Sequence, residues 1–402
     1  MNEKLLKLLL ILLVCIPMAS TDIFVPALPI MVSELHTNLA TIGLVLSSYM
    51  VGFSMSMLTT GALSDIYGRR KILIYTMLLY IISCFLIIFC HNIYMLIFLR
   101  FFQGLGGGSG TVVGRLILKD YFPHDEQINM MSTLSTGMAI APAVAPQVGA
   151  FCTNYFDWQS CFLVTCLVGV FILWILVFKF KETNNNFSTT NPIKKLPMSF
   201  ISAFNTKEFA GFTLLIGFAW CAYFNFIGLS SFLFQKIYLY SENQYAFVIG
   251  AVTIGYLLGT TFTRILNKRN FSIQAIIKIG IIACTGGGGM FLFAYIMQLG
   301  LLLIFAMFVI RFGIGLIMPT SQVGAMRFHS TNTGWYMGCL FFIEFILGSI
   351  TLYMAGFLEL IQIGAGMVVS ILFSIILLWL GMFLIKNKSI QYLGVWEKSP
   401  NW

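Results

Sequence analysis

The sequence predicts an all-α integral membrane protein of twelve transmembrane helices, arranged as two pseudo-symmetric six-helix halves. Three observations carry that prediction: a composition unsuited to water, a series of long apolar runs, and one polar stretch that divides the series in two. Of 402 residues, 59% are hydrophobic and 9% charged. A soluble domain carries about 25% charged residues, so this chain cannot build a water-facing surface. The alternative solvent is lipid, where every backbone group must be paired internally and only helices or closed barrels can span. Barrel strands alternate apolar and polar residues over about ten positions. The runs here are long and unbroken, as helices crossing a core about 30 Å thick require.

Six apolar runs precede the polar stretch, at residues 5–28, 42–62, 72–90, 94–116, 128–151 and 158–178. Six follow it, at 209–234, 245–266, 273–297, 301–323, 334–358 and 363–385. The separator carries an Asn run from Asn184 to Asn186, Pro192, Pro197 and five lysines. The expected organisation is therefore an N-terminal bundle (1–178), a cytoplasmic linker (179–207), a C-terminal bundle (208–386) and a cytoplasmic tail (387–402). The first run ends at Asp22 and two prolines without a small-residue cleavage site, and is expected to stay as the first span.

The net charge of +9 is spread between the runs rather than gathered in one patch, which argues against a nucleic-acid partner. Arg69, Arg70, Lys71, Lys119, the linker lysines, Lys268, Arg269 and Arg327 fall in alternate loops, with Lys4 and Lys7 before the first run and Lys386, Lys388 and Lys398 after the last. The opposite loops hold only Lys236. The excess of basic residues on the cytoplasmic side places both termini in the cytoplasm, and a bacterial inner membrane is the expected location. The nine cysteines form no CxxC and have no histidine at ligand spacing, so they read as small buried hydrophobes. No metal site and no cofactor are expected.

The halves echo one another. Arg100-Phe-Phe-Gln103-Gly104-Leu opens the fourth run, and Arg311-Phe-Gly-Ile-Gly315-Leu lies in the tenth. An intramembrane arginine is costly, and its recurrence at matched places points to an internal repeat. Six plus six spans joined by a cytoplasmic linker is an arrangement that resembles the major facilitator superfamily.

The loop after the second run reads Gly61-Ala-Leu-Ser-Asp65-Ile-Tyr-Gly68-Arg69-Arg70-Lys71, and is similar to that superfamily's signature G-x-L-x-D-x-x-G-R-[RK]. Its glycines suit a tight turn and close helix approach. Asp65 can accept from helix N-termini or from an arginine across the half-to-half interface. The fourth run continues Gly104-Leu-Gly-Gly-Gly-Ser-Gly110 to Arg115, and the fifth contains Ala141-Pro142-Ala-Val-Ala-Pro146-Gln-Val-Gly149. With Ser20-Thr-Asp22-Ile-Phe-Val-Pro26-Ala-Leu-Pro29, these motifs resemble the bicyclomycin/chloramphenicol-resistance (Bcr/CflA) branch of drug:proton antiporters. The resemblance implies a conformational role for Gly61, Asp65, Gly68, Arg69, Arg70, Arg115, Pro142, Pro146 and Gly149. The two prolines and Gly149 also suit a bent, closely packed helix with no bearing on transport direction.

Asp22 is the candidate proton carrier, because an intramembrane carboxylate is functional by default. Burial disfavours its charged form and a cationic neighbour favours it; a structural bond or a helix cap beside Pro26 is the alternative. Depth selects Arg100 as its partner: each lies six residues inside the outer end of its run, about 9 Å deep at about 1.5 Å per residue. Arg115, fifteen residues further on, lies about 22 Å deeper. Glu344 and Arg311, each about ten residues into antiparallel spans, are expected near mid-membrane as a salt bridge, with a second titrating or cation-binding site as the other reading.

Tyr49, Gln103, Trp220, Tyr223, Asn225, Tyr256, Trp335 and Tyr336 are the candidate substrate contacts, although aromatic residues in spans also face lipid or the core. The expected function is proton-coupled export of small, largely apolar organic molecules by a monomer in the lipid bilayer. An exporter of an endogenous metabolite such as a siderophore, or an importer on the same scaffold, remains open. An enzyme would need a nucleophile–base pair, a metal cluster or clustered acids; His36, His91, His124 and His329 stand apart in loops. No Gly-x-x-x-x-Gly-Lys-Ser/Thr occurs, so a self-contained ATP-driven pump is not expected.

Overall fold

In the computed structural model, which describes residues 2–184, 207–326 and 333–385, the first apolar run is not one helix. α1 (Glu3–Asp22) stops at the candidate carboxylate; a 3-10 turn (Val25–Ala27) and a short α2 (Leu28–Glu34) complete the span. Pro26 and Pro29 cause the break, since neither can donate to the helical ladder. Both sit in the first turn of the segment that follows, where a missing N–H is harmless. The span therefore ends at Glu34 rather than at residue 28, and Asp22 sits at a helix end in its interior.

The remaining helices of the first half are α3 (Leu39–Tyr67), α4 (Arg69–Ile88), α5 (Ile93–Tyr121), α6 (His124–Tyr155) and α7 (Gln159–Phe178). Those of the second are α8 (Lys207–Phe232), α9 (Glu242–Lys268), α10 (Ile273–Ile296), α11 (Gly300–Met326), α12 (Thr333–Glu359) and α13 (Ala365–Leu384). Among the described residues these make twelve spans and no strand. Asn38, Asn92 and Ser272 cap their helices by accepting a backbone N–H, and Ser241 with Gln244 forms a capping box.

Ten of the spans are apolar enough to cross a membrane on length and composition alone; α5 and α6 are not among them. The reason for α5 is that its polar residues and glycines face protein, not lipid: Arg100, Gln103, Gly104, Ser109 and Thr111 are all buried. At 29 residues it is about 43 Å long, ample for a crossing. α6 holds two buried prolines without interruption of the helix.

Glycine sets the closest approaches. A methyl group on Gly104 or Gly52 would overlap the carbonyl oxygen of Tyr49 or Phe101, so α3 and α5 pack backbone to backbone. Gly259 and Gly315 give α9 and α11 the same approach in the second half. The halves meet along α3 and α12, where Ser47 and Ser349 donate to each other's carbonyl oxygens at 3.2 Å, and along α6 and α9.

The basic residues lie at one end of the bundle: Lys4 and Lys7 start α1, Arg69–Lys71 start α4, Lys119 ends α5, and Lys268 and Arg269 end α9. Lys236 lies at the other end. There the halves are tied by hydrogen bonds from Gln235 Nε2 to the Pro26 carbonyl (2.8 Å) and from Asn154 Nδ2 to Asn243 Oδ1 (3.1 Å). Most linker residues, Arg327, His329, Lys386, Lys388 and Lys398 lie outside the described residues.

Candidate functional site

Arg100 is fully buried and its partners belong to its own half. Its Nε donates to the Val45 carbonyl (3.2 Å), and Nη1 donates to the Ser20 carbonyl (3.2 Å) and to Gln103 Oε1 (2.6 Å). The guanidinium lies 4.2 Å from the Tyr49 ring centroid and 4.6 Å from that of Phe24. Tyr49 donates to the Pro17 carbonyl at 2.9 Å, and Gln103 donates to Cys84 Sγ at 3.0 Å. Tyr49 and Gln103, expected as substrate contacts, are thus fully buried walls of an arginine nest.

No ion pair joins Arg100 to Asp22 among the described residues. The expected pairing of Asp22 with Arg100 is not made, although Arg100 reaches the same level of the first span at the Ser20 carbonyl. Arg100 reaches the first span on either side of Asp22, at the Ser20 carbonyl and the Phe24 ring, without pairing with the carboxylate between them. Ser20 Oγ is itself bonded to Tyr80 Oη of α4 at 2.5 Å, which ties this end of α1 to the first half. The cation acting most strongly on Asp22 is Arg311 of the other half, with Arg100 second. The field of Asp22 also reaches Tyr223 and Tyr245, both in the second half. The charge of Asp22 therefore acts on both halves.

Arg311 is seated in the pattern of Arg100. Its guanidinium lies 3.5 Å from the Tyr223 ring centroid and 4.6 Å from that of Tyr256. Tyr49-Met-Val-Gly52 and Tyr256-Leu-Leu-Gly259 occupy matching places on α3 and α9, so the repeat seen in the arginines extends to the rings beneath them. Where Arg100 has Gln103 as an acceptor, Arg311 has Ile314. Its Nε is buried without a hydrogen-bond partner.

The expected Arg311–Glu344 salt bridge is absent. α11 and α12 scarcely touch; α8 packs against both and lies between them. Arg311 turns to the rings of α8 and α9, while Glu344 lies against Gly217 and Cys221 of α8. Glu344 is 2% exposed and its Oε2 has no partner. Trp220 Nε1 and Tyr223 Oη are likewise buried and unpaired. Such atoms cost about 1–3 kcal/mol each unless water or a ligand meets them. The inner wall of the second half is therefore polar and unsatisfied beside the Trp220, Tyr223 and Phe345 rings, whereas the nest in the first half is nearly complete. Asn225 donates to Thr351 Oγ1 (2.9 Å). Tyr336 packs on Phe209 near the basic end, away from this wall; the Trp335 side chain lies outside the described residues.

The signature loop is a lattice within the first half. Gly68, at φ 96° and ψ 149°, joins α3 to α4 in a conformation open only to glycine; Gly61 lies inside α3, facing Val112. Arg69 donates to Asp65 (2.5 Å), Ser64 Oγ (2.6 Å) and Asp120 (3.2 Å). Arg70 donates to the Leu176 and Val177 carbonyls. Sequence reasoning missed Glu182, whose carboxylate accepts from the backbone N–H groups of Arg69, Arg70, Thr183 and Asn184 at 2.9–3.0 Å. An acid at a helix N-terminus, just after an apolar run, was the available signal. It also missed Glu359, which is buried and accepts from the N–H groups of Gly364 and Met367 at the start of α13.

Arg115, half-buried, donates to the Thr111 carbonyl and to Met138 Sδ. It is the signature residue that leans toward the other half, 6.0 Å from the Phe341 ring. A methyl group on Gly149 would overlap the Ile23 carbonyl, so α6 presses on the chain directly after Asp22. His, Cys, Asp and Glu form no cluster able to hold a metal ion among the described residues.

Residues 10–352 match the family model described as Major Facilitator Superfamily. The chain is 25% identical over 366 residues to the uncharacterized MFS-type transporter YdgK of Bacillus subtilis, covering 87% of this chain and 88% of that one. It is 24% identical to the bicyclomycin resistance protein homolog of Haemophilus influenzae, over 63% of each chain. A crystal structure of a D-xylose-proton symporter superposes with a TM-score of 0.75 at 14% identity, covering 94% of this chain and 96% of the other.

Proposed function

The chain belongs to the major facilitator superfamily, a membrane transporter rather than an enzyme, and on that premise we propose that it exports small, largely apolar organic molecules in exchange for protons. The bicyclomycin-resistance name of one relative supports drugs as the substrate class. The basic end of the bundle is the cytoplasmic one, so the tied ends around Pro26 and Gln235 close the periplasmic side. Asp22, Arg100 and Arg311 form the proton-coupling centre, and Glu344 is a second buried acid available to the same chemistry. Trp220, Tyr223 and Tyr256 provide an aromatic wall for the substrate.

The observation that supports this reading is that the cation acting most strongly on Asp22 is Arg311, which belongs to the other half. Ionised, Asp22 attracts a cation of the other half; protonated, it does not. A proton on Asp22 therefore changes the energy of the contact between halves, and a substrate on the Arg311 wall competes for the same contact. A ligand shifts such an equilibrium only through unequal affinity for the two states, and both ligands have that inequality here. The signature lattice around Arg69 keeps the cytoplasmic end of the first half rigid while the halves rock, and Arg115 meets Phe341 as they close.

The test is transport by purified protein in liposomes with an imposed proton gradient, using chloramphenicol and ethidium as probes. Gradient-dependent movement of either probe, abolished by a protonophore, supports antiport. Movement down its own gradient alone, indifferent to the protonophore, opposes it.

A further inference from the structure

Two cysteines meet at the end of the bundle where the halves are tied. Cys152 lies in the last turn of α6 and Cys161 in the first turn of α7, separated by the short loop at 156–158. Cys161 Sγ lies 3.8 Å from the Gly149 carbonyl oxygen and 4.0 Å from Thr153 Oγ1. Those residues flank Cys152 on α6, so the sulfur of Cys161 rests on the face that carries Cys152. Cys152 and Cys161 thus meet across the short turn between α6 and α7. Both are free and buried, Cys152 at 6% and Cys161 at 0% exposure.

This turn of α6 joins three parts of the transporter. Gly149 presses on Ile23 next to Asp22, Gln147 approaches Gly250 of α9, and Asn154 bonds Asn243. On the orientation proposed above, it also faces the periplasm, where thiols are oxidised.

We propose that Cys152 and Cys161 form a disulfide that fastens the outer end of α6 to α7. In the exchange, the thiolate of one cysteine attacks a sulfur of an external disulfide oxidant and expels one thiol. The second cysteine attacks the resulting mixed disulfide and expels the other. One S–S bond forms in the protein, one is reduced in the oxidant, and the two protons pass to the product thiols. Closure takes place as the outer loop folds, while the sulfurs are still accessible; afterwards burial slows exchange until the turn opens on heating. The bond fixes the turn that buttresses the helix break at Asp22 and bears on the other half.

The full-length protein, taken from cells with their periplasmic thiol oxidation intact, is alkylated under denaturing conditions without reductant. It is then cut by chymotrypsin within residues 155–158 and read by mass spectrometry. The expected result is a linked Cys152–Cys161 peptide pair that separates on reduction, with Cys84 and Cys284 alkylated. Reductant should also lower the unfolding temperature of the wild type by several degrees and leave Cys152→Ser unmoved. A reporter fused in the loop at 156–158 checks orientation separately. If the loop is outside and both cysteines are fully alkylated, the disulfide is overturned. If the reporter places the loop inside, the topology reading fails, and oxidised glutathione on the purified protein decides: closure upholds the pair and free thiols overturn it.

Discussion

Asp22 of the first span makes no ion pair with Arg100 of its own half, and the cation that acts on it most strongly is Arg311 of the tenth span, in the opposite half. The two arginines sit alike over Tyr49 and Tyr256, yet only Arg100 has a neighbouring amide, in Gln103, to satisfy it. A duplicated fold has kept the seat in both halves and left one cation available for the junction.

That asymmetry predicts different consequences for the two arginines. Arg100→Gln strands the Val45 and Ser20 carbonyls and empties a fully buried nest, and should cost about 3 kcal/mol of stability. Arg311→Gln removes a cation with no ion-pair partner, and should leave the unfolding temperature within a few degrees while reducing proton-driven transport at least about tenfold. Thermal unfolding in detergent beside liposome transport separates the two. Equal loss of stability in both variants would remove the distinction.

Glu344 and Arg311 should behave independently, because α8 stands between their helices. In a double-mutant cycle of Glu344→Gln and Arg311→Gln, stability changes should add within about 0.5 kcal/mol. A coupling of about 2 kcal/mol or more would restore the salt bridge that their matched depth suggested. Glu344→Gln alone should raise stability, since it removes a buried, unpaired carboxylate oxygen's demand for charge compensation.

The Glu182 latch predicts a loss confined to the cytoplasmic face. Glu182→Ala frees four backbone N–H groups at the start of α4 and the linker, at a cost of about 1–2 kcal/mol. Limited proteolysis should then cut near Asn184 faster than in the wild type, with α8–α13 equally protected in both. Unchanged cleavage would mean that Arg69, Asp65 and Asp120 hold the loop without it.

The architecture was legible in the sequence because lipid imposes one simple demand, a long apolar helix, and leaves loops to carry charge. The repeat was legible because Arg100 and Arg311 are costly enough to stand out. The partners of Arg100 were not legible: shared depth suggested Asp22, but the guanidinium is taken up by the Val45 and Ser20 carbonyls and by Gln103. Helix order around the bundle was equally hidden, so consecutive α11 and α12 were paired although α8 separates them. The break after Asp22 was written in Pro26 and Pro29, yet hydropathy continues through it, and the helix beyond, to Glu34, was not anticipated.

The most direct measurement is proton-driven efflux by Asp22→Asn protein in liposomes, paired with equilibrium binding of the same substrate to the purified variant. The account predicts that uphill efflux is lost while the neutral substrate still binds, because the aromatic wall of Trp220, Tyr223 and Tyr256 is intact and only the proton carrier is gone. Uphill efflux at the wild-type rate on a proton gradient would contradict it and pass the role of proton carrier to Glu344.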